Sequence, residues 1–547
     1  MIAFAALTGP LPKVGVVIVA LPAGLALLAT GRRVRAAAVL GALVLAPVLL
    51  LTDIWDSPQL GIVHRHPLVA VVGGALAVAV LLAAAALVAR RPWVIGPLAL
   101  AALPFRVPIS TGGTTNNLLV PLYLVVAAGS LAAIGASLQE LRRARRPTDD
   151  RPRRRPRPGA PGEAGVAPAV SSGARARVGA QRRPSRRARL VGSASPLGWL
   201  ERLLVLYVVT YAVQAVYSPD FEKALQNMVF FYVPFALLYG LLREIEWTPR
   251  LVRACLMLTV ALAAAFSLLG FAEYATKTII LNPKLVVAND LHTYFTVNSV
   301  FFDPDIFGRY LALAMIPLAA VLLYERPQRE QVAATLALAV LWAGLVLTLS
   351  RSSLGALLVG MAVLAALRWR PSRALVVAVA VIALGAAAVA ATPNTFGLNQ
   401  GINGASSGRG GLVSGGLSLF ADRPVWGYGS GSFVTEYRRH HRAVATTLSA
   451  SHTIPVTVAA EQGLIGLLSY VALVGMAIVC LVRGARGDPV RCAIAAAFAA
   501  LIFHTMLYAD FLEDPMTWAL LGIGVALAAR PGDRAGTGVS LGAAAAV

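Results

Sequence analysis

Residues 454–482 read IPVTVAAEQGLIGLLSYVALVGMAIVCLV, and Glu461 is the single charged side chain among them. An α-helix rises about 1.5 Å per residue, so about 20 apolar residues are enough to cross the hydrocarbon core of a bilayer. The stretch exceeds that length and carries almost no charge. It therefore predicts a membrane-spanning helix.

Apolar runs of the same character recur along the whole chain. With the stretch above, they lie at about 14–31, 36–52, 67–89, 93–106, 117–138, 199–218, 227–242, 251–272, 308–324, 332–349, 353–367, 374–391, 454–482, 491–508 and 516–529. Several are short, so we expect about 12 to 15 spans. The first run follows no basic n-region, and we expect it to be retained rather than cleaved as a signal peptide. The predicted fold class is an all-α, polytopic transmembrane helix bundle.

The composition excludes a soluble protein. Hydrophobic residues make up 58% of the 547 residues and charged residues 13%, against about 45–50% and about 25% in soluble domains. Cys255, Cys480 and Cys492 all lie within apolar runs and form no CxxC pair. We expect them to be small buried side chains, without a disulfide framework, a metal site or a cofactor.

The net charge of +23 is concentrated in one segment. Residues 142–189 contain sixteen arginines and three acidic residues, among many Pro, Gly and Ser residues. This pattern is typical of a disordered cytoplasmic loop that lies on anionic lipid headgroups. We therefore do not expect nucleic acid as a partner.

Short connections rich in Lys and Arg mark the cytoplasmic side of a membrane protein. Basic residues fall at alternate connections, at Arg32, Arg33 and Arg35, Arg90 and Arg91, 142–189, Arg243 and Arg250, Arg326 and Arg329, 368–373 and 483–491. The other connections are then external, at 53–66, 107–116, 219–226, 273–306, 350–353, 392–453 and 509–515. All seven histidines lie in or near this external set, whereas the middles of the spans are apolar. A transporter more often places ionisable groups at the midplane, so chemistry at the outer rim is favoured.

These boundaries predict the organisation of the chain. The parts are N-terminal transmembrane helices at 1–138, a disordered basic cytoplasmic loop at 139–198, core transmembrane helices at 199–391, a large external loop at 392–453, C-terminal transmembrane helices at 454–530 and a cytoplasmic tail at 531–547. The frequent Ala, Arg, Gly and Val residues are typical of a GC-rich bacterial genome, so we expect a bacterial plasma membrane.

The large external loop carries a surplus of arginine. Arg409, Arg423, Arg438, Arg439 and Arg442 face only two acids, Asp422 and Glu436. Guanidinium groups bind phosphate oxygens bidentately, so a diphosphate or an anionic headgroup is a natural partner. A solvated basic loop is the alternative. The glycines at 427–431 have no strand before them, so we interpret them as a tight turn whose N–H groups could also meet an anion.

Four further residues are candidates for a site. Arg351 lies between two apolar runs, where an arginine is costly unless it reaches the interface or meets an anion. Arg309 stands at an outer helix start, where it would pair with Asp303 or Asp305 or contact substrate. His452 precedes a helix, where a neutral imidazole that can accept a proton is favoured. Glu461 lies nine residues further on, and we interpret it as bracing neighbouring helices or contacting substrate.

Taken together, these motifs resemble the O-antigen ligase and polymerase superfamily of membrane glycosyltransferases. The resemblance covers roughly residues 200–530 and is carried by 303–317, 347–353, 409–420, 422–429 and 452–466. It implies a GT-C-like fold and a metal-independent, inverting transfer on the outer face of the plasma membrane. The implied donor is a glycan on a polyprenyl diphosphate, and the acceptor is a hydroxyl of a glycan, lipid or protein.

The resemblance also implies roles for individual residues. Arg351 and Arg409 would hold the donor diphosphate, and His452 would act at the acceptor hydroxyl. Arg309, Arg423 and Glu461 are the expected substrate-binding residues. Ligase and polymerase are not separated by these motifs. A lipid-linked glycan flippase is the alternative function, and a membrane scaffold organised by the basic loop is a weaker one.

Overall fold

A computed structural model describes residues 10–54, 65–111, 114–145, 196–281, 294–324, 327–369, 409–441 and 451–529, with a few single positions between them. Its helices are α1 Pro10–Leu28, α2 Arg32–Ile54, α3 Pro67–Arg90, α4 Ile95–Ala102, α5 Val120–Arg145, α6 Pro196–Ala215, α7 Phe221–Asn227, α8 Val233–Glu244, α9 Pro249–Thr276, α10 Pro304–Leu323, α11 Gln328–Leu347, α12 Arg351–Arg368, α13 Arg409–Asp422, α14 Phe433–His441, α15 Ile454–Val482, α16 Pro489–Thr505 and α17 Pro515–Ala528. A short 3₁₀ turn, Pro92–Val94, precedes α4, and a π-helical turn, Met228–Tyr232, joins α7 to α8.

The helices confirm the predicted polytopic bundle. Within the described residues, ten helices are long and apolar enough to cross a membrane, and four more are shorter and apolar. Each of these helices coincides with one of the predicted runs, and almost all of the remaining run, 374–391, lies outside the described residues. So do most of the predicted basic loop at 139–198, the tail at 531–547 and much of the loop at 392–453.

One element departs from the all-α expectation. Strands β1 Val107–Thr111 and β2 Thr114–Leu118 pair antiparallel, with Val107 opposite Leu118 and Thr111 opposite Thr114. The segment is rich in β-branched residues, and two glycines separate its halves in the sequence. Both features favour a hairpin. Residues 107–111 and 114–116 of the predicted external loop therefore belong to a pair of strands between α4 and α5.

Polar contacts join helices of the bundle. At the end predicted to be cytoplasmic, Arg243 pairs with Glu201, and Arg368 Nε donates to the Leu323 carbonyl. Within the span Phe221–Glu244, Tyr232 donates to Glu513 at 2.8 Å. One hydrophobic core runs through the bundle and includes the N-terminal helices, with α1 packed on both α6 and α8.

Three helices and one interrupted helix support the end of the bundle that is predicted to be external. Helices α10, α12 and α16 contact one another pairwise, and α13 packs on α15. Helix α15 is broken at Gly463, where φ is 63° and ψ is −159°. The freed backbone groups find partners in the glycine-rich turn and just before it: Leu464 N donates to the Pro424 carbonyl at 2.7 Å, and Gly429 N donates to the Glu461 carbonyl at 2.7 Å. A break inside a span is tolerated where other backbone satisfies the polar groups.

Candidate functional site

Three residues predicted to form the site meet at one pocket. The cavity has a volume of about 520 Å³ and lies at the end of the bundle predicted to be external. It is lined by Arg351, Ser352, Arg409, Gly410, Val413, Ser414, Leu417, His452, Thr453, Met506 and Leu507. Arg351, Arg409 and His452 come from separate elements of the chain, so only the fold brings them together.

Each arginine of the pocket lies on a helix. Arg351 is the first residue of α12, after Ser350, whose side chain accepts a hydrogen bond from Ser353 N. Arg409 is the first described residue of α13. Backbone N–H groups at a helix start such as that of α12 point outward and favour negative charge. Together with the two guanidinium groups they make a surface suited to an anion.

His452 stands immediately before α15 in a left-handed conformation, with φ 55°. Its ring lies 6.0 Å from the ring of Tyr508, centroid to centroid. Burial lowers the pKa of His452 below its usual value, and the cation of Arg409 lowers it further, while Asp305 and Asp510 oppose the shift. The imidazole is therefore neutral near pH 7 and can accept a proton.

A polar cluster missed in the sequence lies directly behind the pocket. Ser350 and Ser352 both donate to Asp305 Oδ1, the latter at 2.9 Å. The buried His504 has Nε2 at 3.2 Å from both the Ser352 and Ser353 hydroxyls. The other oxygen of Asp305, Oδ2, is 3.9 Å from Arg409 Nη2. The cluster connects the two arginine-bearing helix starts through one carboxylate.

Residues 336–471 match the O-antigen ligase family model. The matched segment includes Arg351, Arg409, His452 and Glu461. This confirms the predicted resemblance to the O-antigen ligase and polymerase superfamily, and it supports a ligase- or polymerase-like function in a multi-pass membrane protein. A comparison with curated proteins finds no match.

Arg309 precedes the segment that matches the family model and has another environment. It is fully buried, and its Nη2 lies 2.6 Å from Asp514 Oδ2, while Nη1 donates to the Asp510 carbonyl at 3.4 Å. Neither Asp303 nor Asp305 is its ion-pair partner, and it does not line the pocket. Asp303 instead accepts from the Tyr508 hydroxyl at 2.8 Å. We assign Arg309 to the joint between α10 and the start of α17.

The other two predicted substrate-binding residues, Arg423 and Glu461, lie beside the glycine-rich turn. Arg423 is exposed, with its guanidinium 4.5 Å from the centre of the Tyr428 ring. Glu461 is buried and accepts from Gly431 N at 2.8 Å and from Phe433 N at 3.1 Å. The N–H groups of the turn donate to this internal carboxyl group. We therefore assign Glu461 to holding the turn rather than to substrate.

The described part of the chain shows no group of three or more His, Cys, Asp or Glu side chains placed to hold a metal ion. The three cysteines are buried and unpaired, as their positions in apolar runs predict. The chemistry that the pocket can perform with its own residues is anion binding by Arg351 and Arg409 and proton acceptance by His452.

Proposed function

We propose that the chain transfers a glycan from a polyprenyl-diphosphate donor to a hydroxyl acceptor at the outer face of the bacterial plasma membrane. The observation that carries the proposal is the convergence of Arg351, Arg409 and His452 on one pocket near the ends of the spans. The family match supports the reaction class. The alternating basic connections support the outer location of the pocket.

The proposed step is an inverting displacement without a metal. The acceptor oxygen attacks the anomeric carbon of the donor sugar, and the bond from that carbon to the diphosphate oxygen breaks. The diphosphate leaves with the electron pair, and its added charge is stabilised by Arg351 and Arg409. The proton of the acceptor hydroxyl passes to the neutral His452.

The donor must enter from the membrane, because its polyprenyl chain stays in lipid. The pocket fits this requirement, since apolar Val413, Leu417 and Leu507 share its lining with the arginines. A flippase would need a polar route across the bilayer midplane. The pocket instead lies at the helix starts of α12 and α13, which favours transfer at the rim.

A gene deletion complemented with single variants tests the proposal. We expect Arg351→Ala and Arg409→Ala to lower glycan transfer by about 10²–10³-fold, and His452→Ala by about 10²–10⁴-fold, measured on surface polysaccharide at matched protein levels. Arg438→Ala is the control, because Arg438 is an exposed arginine outside the pocket lining. Normal polysaccharide in all three pocket variants would contradict the proposal.

The location is tested by thiol labelling. Cys255, Cys480 and Cys492 are all buried, so a single cysteine introduced at the exposed Arg438 gives a clean signal. A membrane-impermeant maleimide is expected to label Arg438→Cys in intact spheroplasts. Labelling only after the cells are lysed would place this face in the cytoplasm and overturn the outer location.

A further inference from the structure

Asp305 is an acidic group beside Arg409, one of the two arginines proposed to bind the diphosphate, and a negative charge there would oppose binding. Its side chain is 24% exposed, and it lies behind Ser352 and Arg409, both of which line the pocket. A carboxylate at such a place weakens the hold of the two arginines on any anion. Its position therefore calls for a role other than direct binding.

The two oxygens of Asp305 have different partners. Oδ1 accepts from the hydroxyls of Ser350 and Ser352, which flank Arg351. Oδ2 is left to Arg409, at 3.9 Å from Nη2. Charge-assisted contacts close to about 2.7–2.9 Å when they are tight, so this longer, partly exposed pair is weak. The serines fix the carboxylate in place, whereas its contact with Arg409 is easily exchanged.

The exchange of Arg409 between Asp305 and the diphosphate affects the donor and the product differently, because the two carry different charges. The donor diphosphate is esterified at both ends, and its cleavage leaves a diphosphate esterified only to the polyprenyl chain. The product therefore has one more ionisable oxygen than the donor, and two arginines alone would hold the product more tightly than the donor. A fixed negative charge beside Arg409 raises the free energy of the bound product more than that of the bound donor.

We propose that Asp305 is an internal counter-anion of Arg409, which the donor diphosphate displaces and which promotes release of the diphosphate product. This inference rests on the proposed function. Asp305 holds Arg409 in the empty pocket, gives it up when the donor binds, and competes for it again after transfer. Asp305 is thus a positioning residue that acts through Arg409.

Product inhibition tests the inference on the full chain in lipid nanodiscs, with a polyprenyl diphosphate as the probe. Asp305→Asn keeps acceptors for the two serines and removes the charge. We expect it to lower the inhibition constant of the polyprenyl diphosphate about two- to fivefold and to lower the donor KM by less. An unchanged or raised inhibition constant would overturn the inference.

Three further variants make the result specific. Asp305→Ser also removes the charge and is expected to act in the same direction, so a folding defect in one variant does not decide the test. Asp303→Asn is the matched control, since Asp303 contacts Tyr508 rather than Arg409, and its inhibition constant should stay at the wild-type value. Arg409→Ala should weaken binding of the probe. If it does not, the proposed function fails as well; if it does and the Asp305 variants bind no tighter, only this inference fails.

Discussion

The two ends of the bundle use arginine in opposite ways. Arg243 is 1% exposed, pairs with Glu201 and donates to the Leu27 carbonyl at 3.2 Å. Arg409 is 33% exposed, and the carboxylate of Asp305 is 3.9 Å away. A buried pair that also reaches a third helix holds three helices against one another, whereas a loose and partly solvated pair leaves the cation available to a ligand. The exposure of the arginine and its distance to the paired carboxylate therefore distinguish the structural Arg243 from the proposed ligand-binding Arg409.

Arg309 shows that an arginine at the pocket end of the bundle can still have a structural role. It lies at the same end as Arg409, yet it is buried and paired with Asp514 at 2.6 Å. By its environment it belongs with Arg243. The role of each arginine therefore follows from its burial and its ion pair, and variants of the paired residues can test this relation.

The largest effect on stability is expected for Arg243→Ala. Removing one member of a buried pair leaves Glu201 as an uncompensated buried charge, at a cost of about 3–5 kcal/mol. Thermal unfolding in detergent should show a clear drop in Tm, while the transfer activity per folded molecule remains. Arg409→Ala should show the reverse, with unfolding shifted by about 0.5 kcal/mol or less and activity lost.

A double variant tests whether the loss of stability in Arg243→Ala comes from the unpaired charge of Glu201. Arg243→Met combined with Glu201→Leu removes both charges and fills the space with apolar side chains, which is often neutral or stabilising for buried pairs. We expect it to recover most of the stability lost in Arg243→Ala. A Tm of Arg243→Ala equal to that of the wild type would contradict the stabilising role of Arg243 and its difference from Arg409.

A smaller effect is expected at the break in α15, which ties the pocket end together. Gly463 adopts backbone angles that are essentially restricted to glycine, and a Cβ there would lie 2.4 Å from the Val425 carbonyl oxygen. Gly463→Ala should cost about 1–3 kcal/mol and lower transfer activity, because α13, which begins with Arg409, packs on α15. Gly475→Ala in the same helix is the control, since no atom lies within 4 Å of its added Cβ and an alanine there favours the helix.

Much of this end was predictable from local sequence. Apolar length predicted the spans. Three residues of the pocket lining were singled out as well: Arg351 by its costly position, Arg409 by the surplus of arginine in its loop, and His452 by its place before a helix. The family resemblance supplied their expected roles. The partners of these residues could not be predicted, because they come from distant segments that only tertiary packing brings together. Arg309 pairs with Asp514 rather than with the neighbouring acids, and His504 reaches Ser352 from another helix. The hairpin at β1 and β2 was missed since it is short and lies between long apolar runs.

The smallest expected effect is a shift in the pH dependence of transfer activity. It tests whether the charged groups of the pocket end change the pKa of His452. His452 faces Arg409, Asp305 and Asp510, and the two carboxylates raise its pKa against the lowering by burial and by Arg409. The neutral imidazole is the active form, so activity falls as the pH drops through the pKa of His452, which lies below its usual value. Asp305→Asn and Asp510→Asn remove a raising influence and should move the acid limb of kcat/KM to still lower pH, by about one unit or less.

Asp303→Asn again serves as the control, because Asp303 is not among the groups that shift the pKa of His452, and asparagine can replace aspartate at the start of α10. Its acid limb should coincide with that of the wild type. A shift to higher pH in Asp305→Asn would mean that the carboxylate does not stabilise the imidazolium, and the pocket would then lack the electrostatic coupling that distinguishes it from the buried pair at the opposite end. Asp303 accepts a hydrogen bond from Tyr508 rather than from Arg409 or His452. A shift of equal size in Asp303→Asn would therefore mean that the pKa of His452 responds to any negative charge at this end of the bundle.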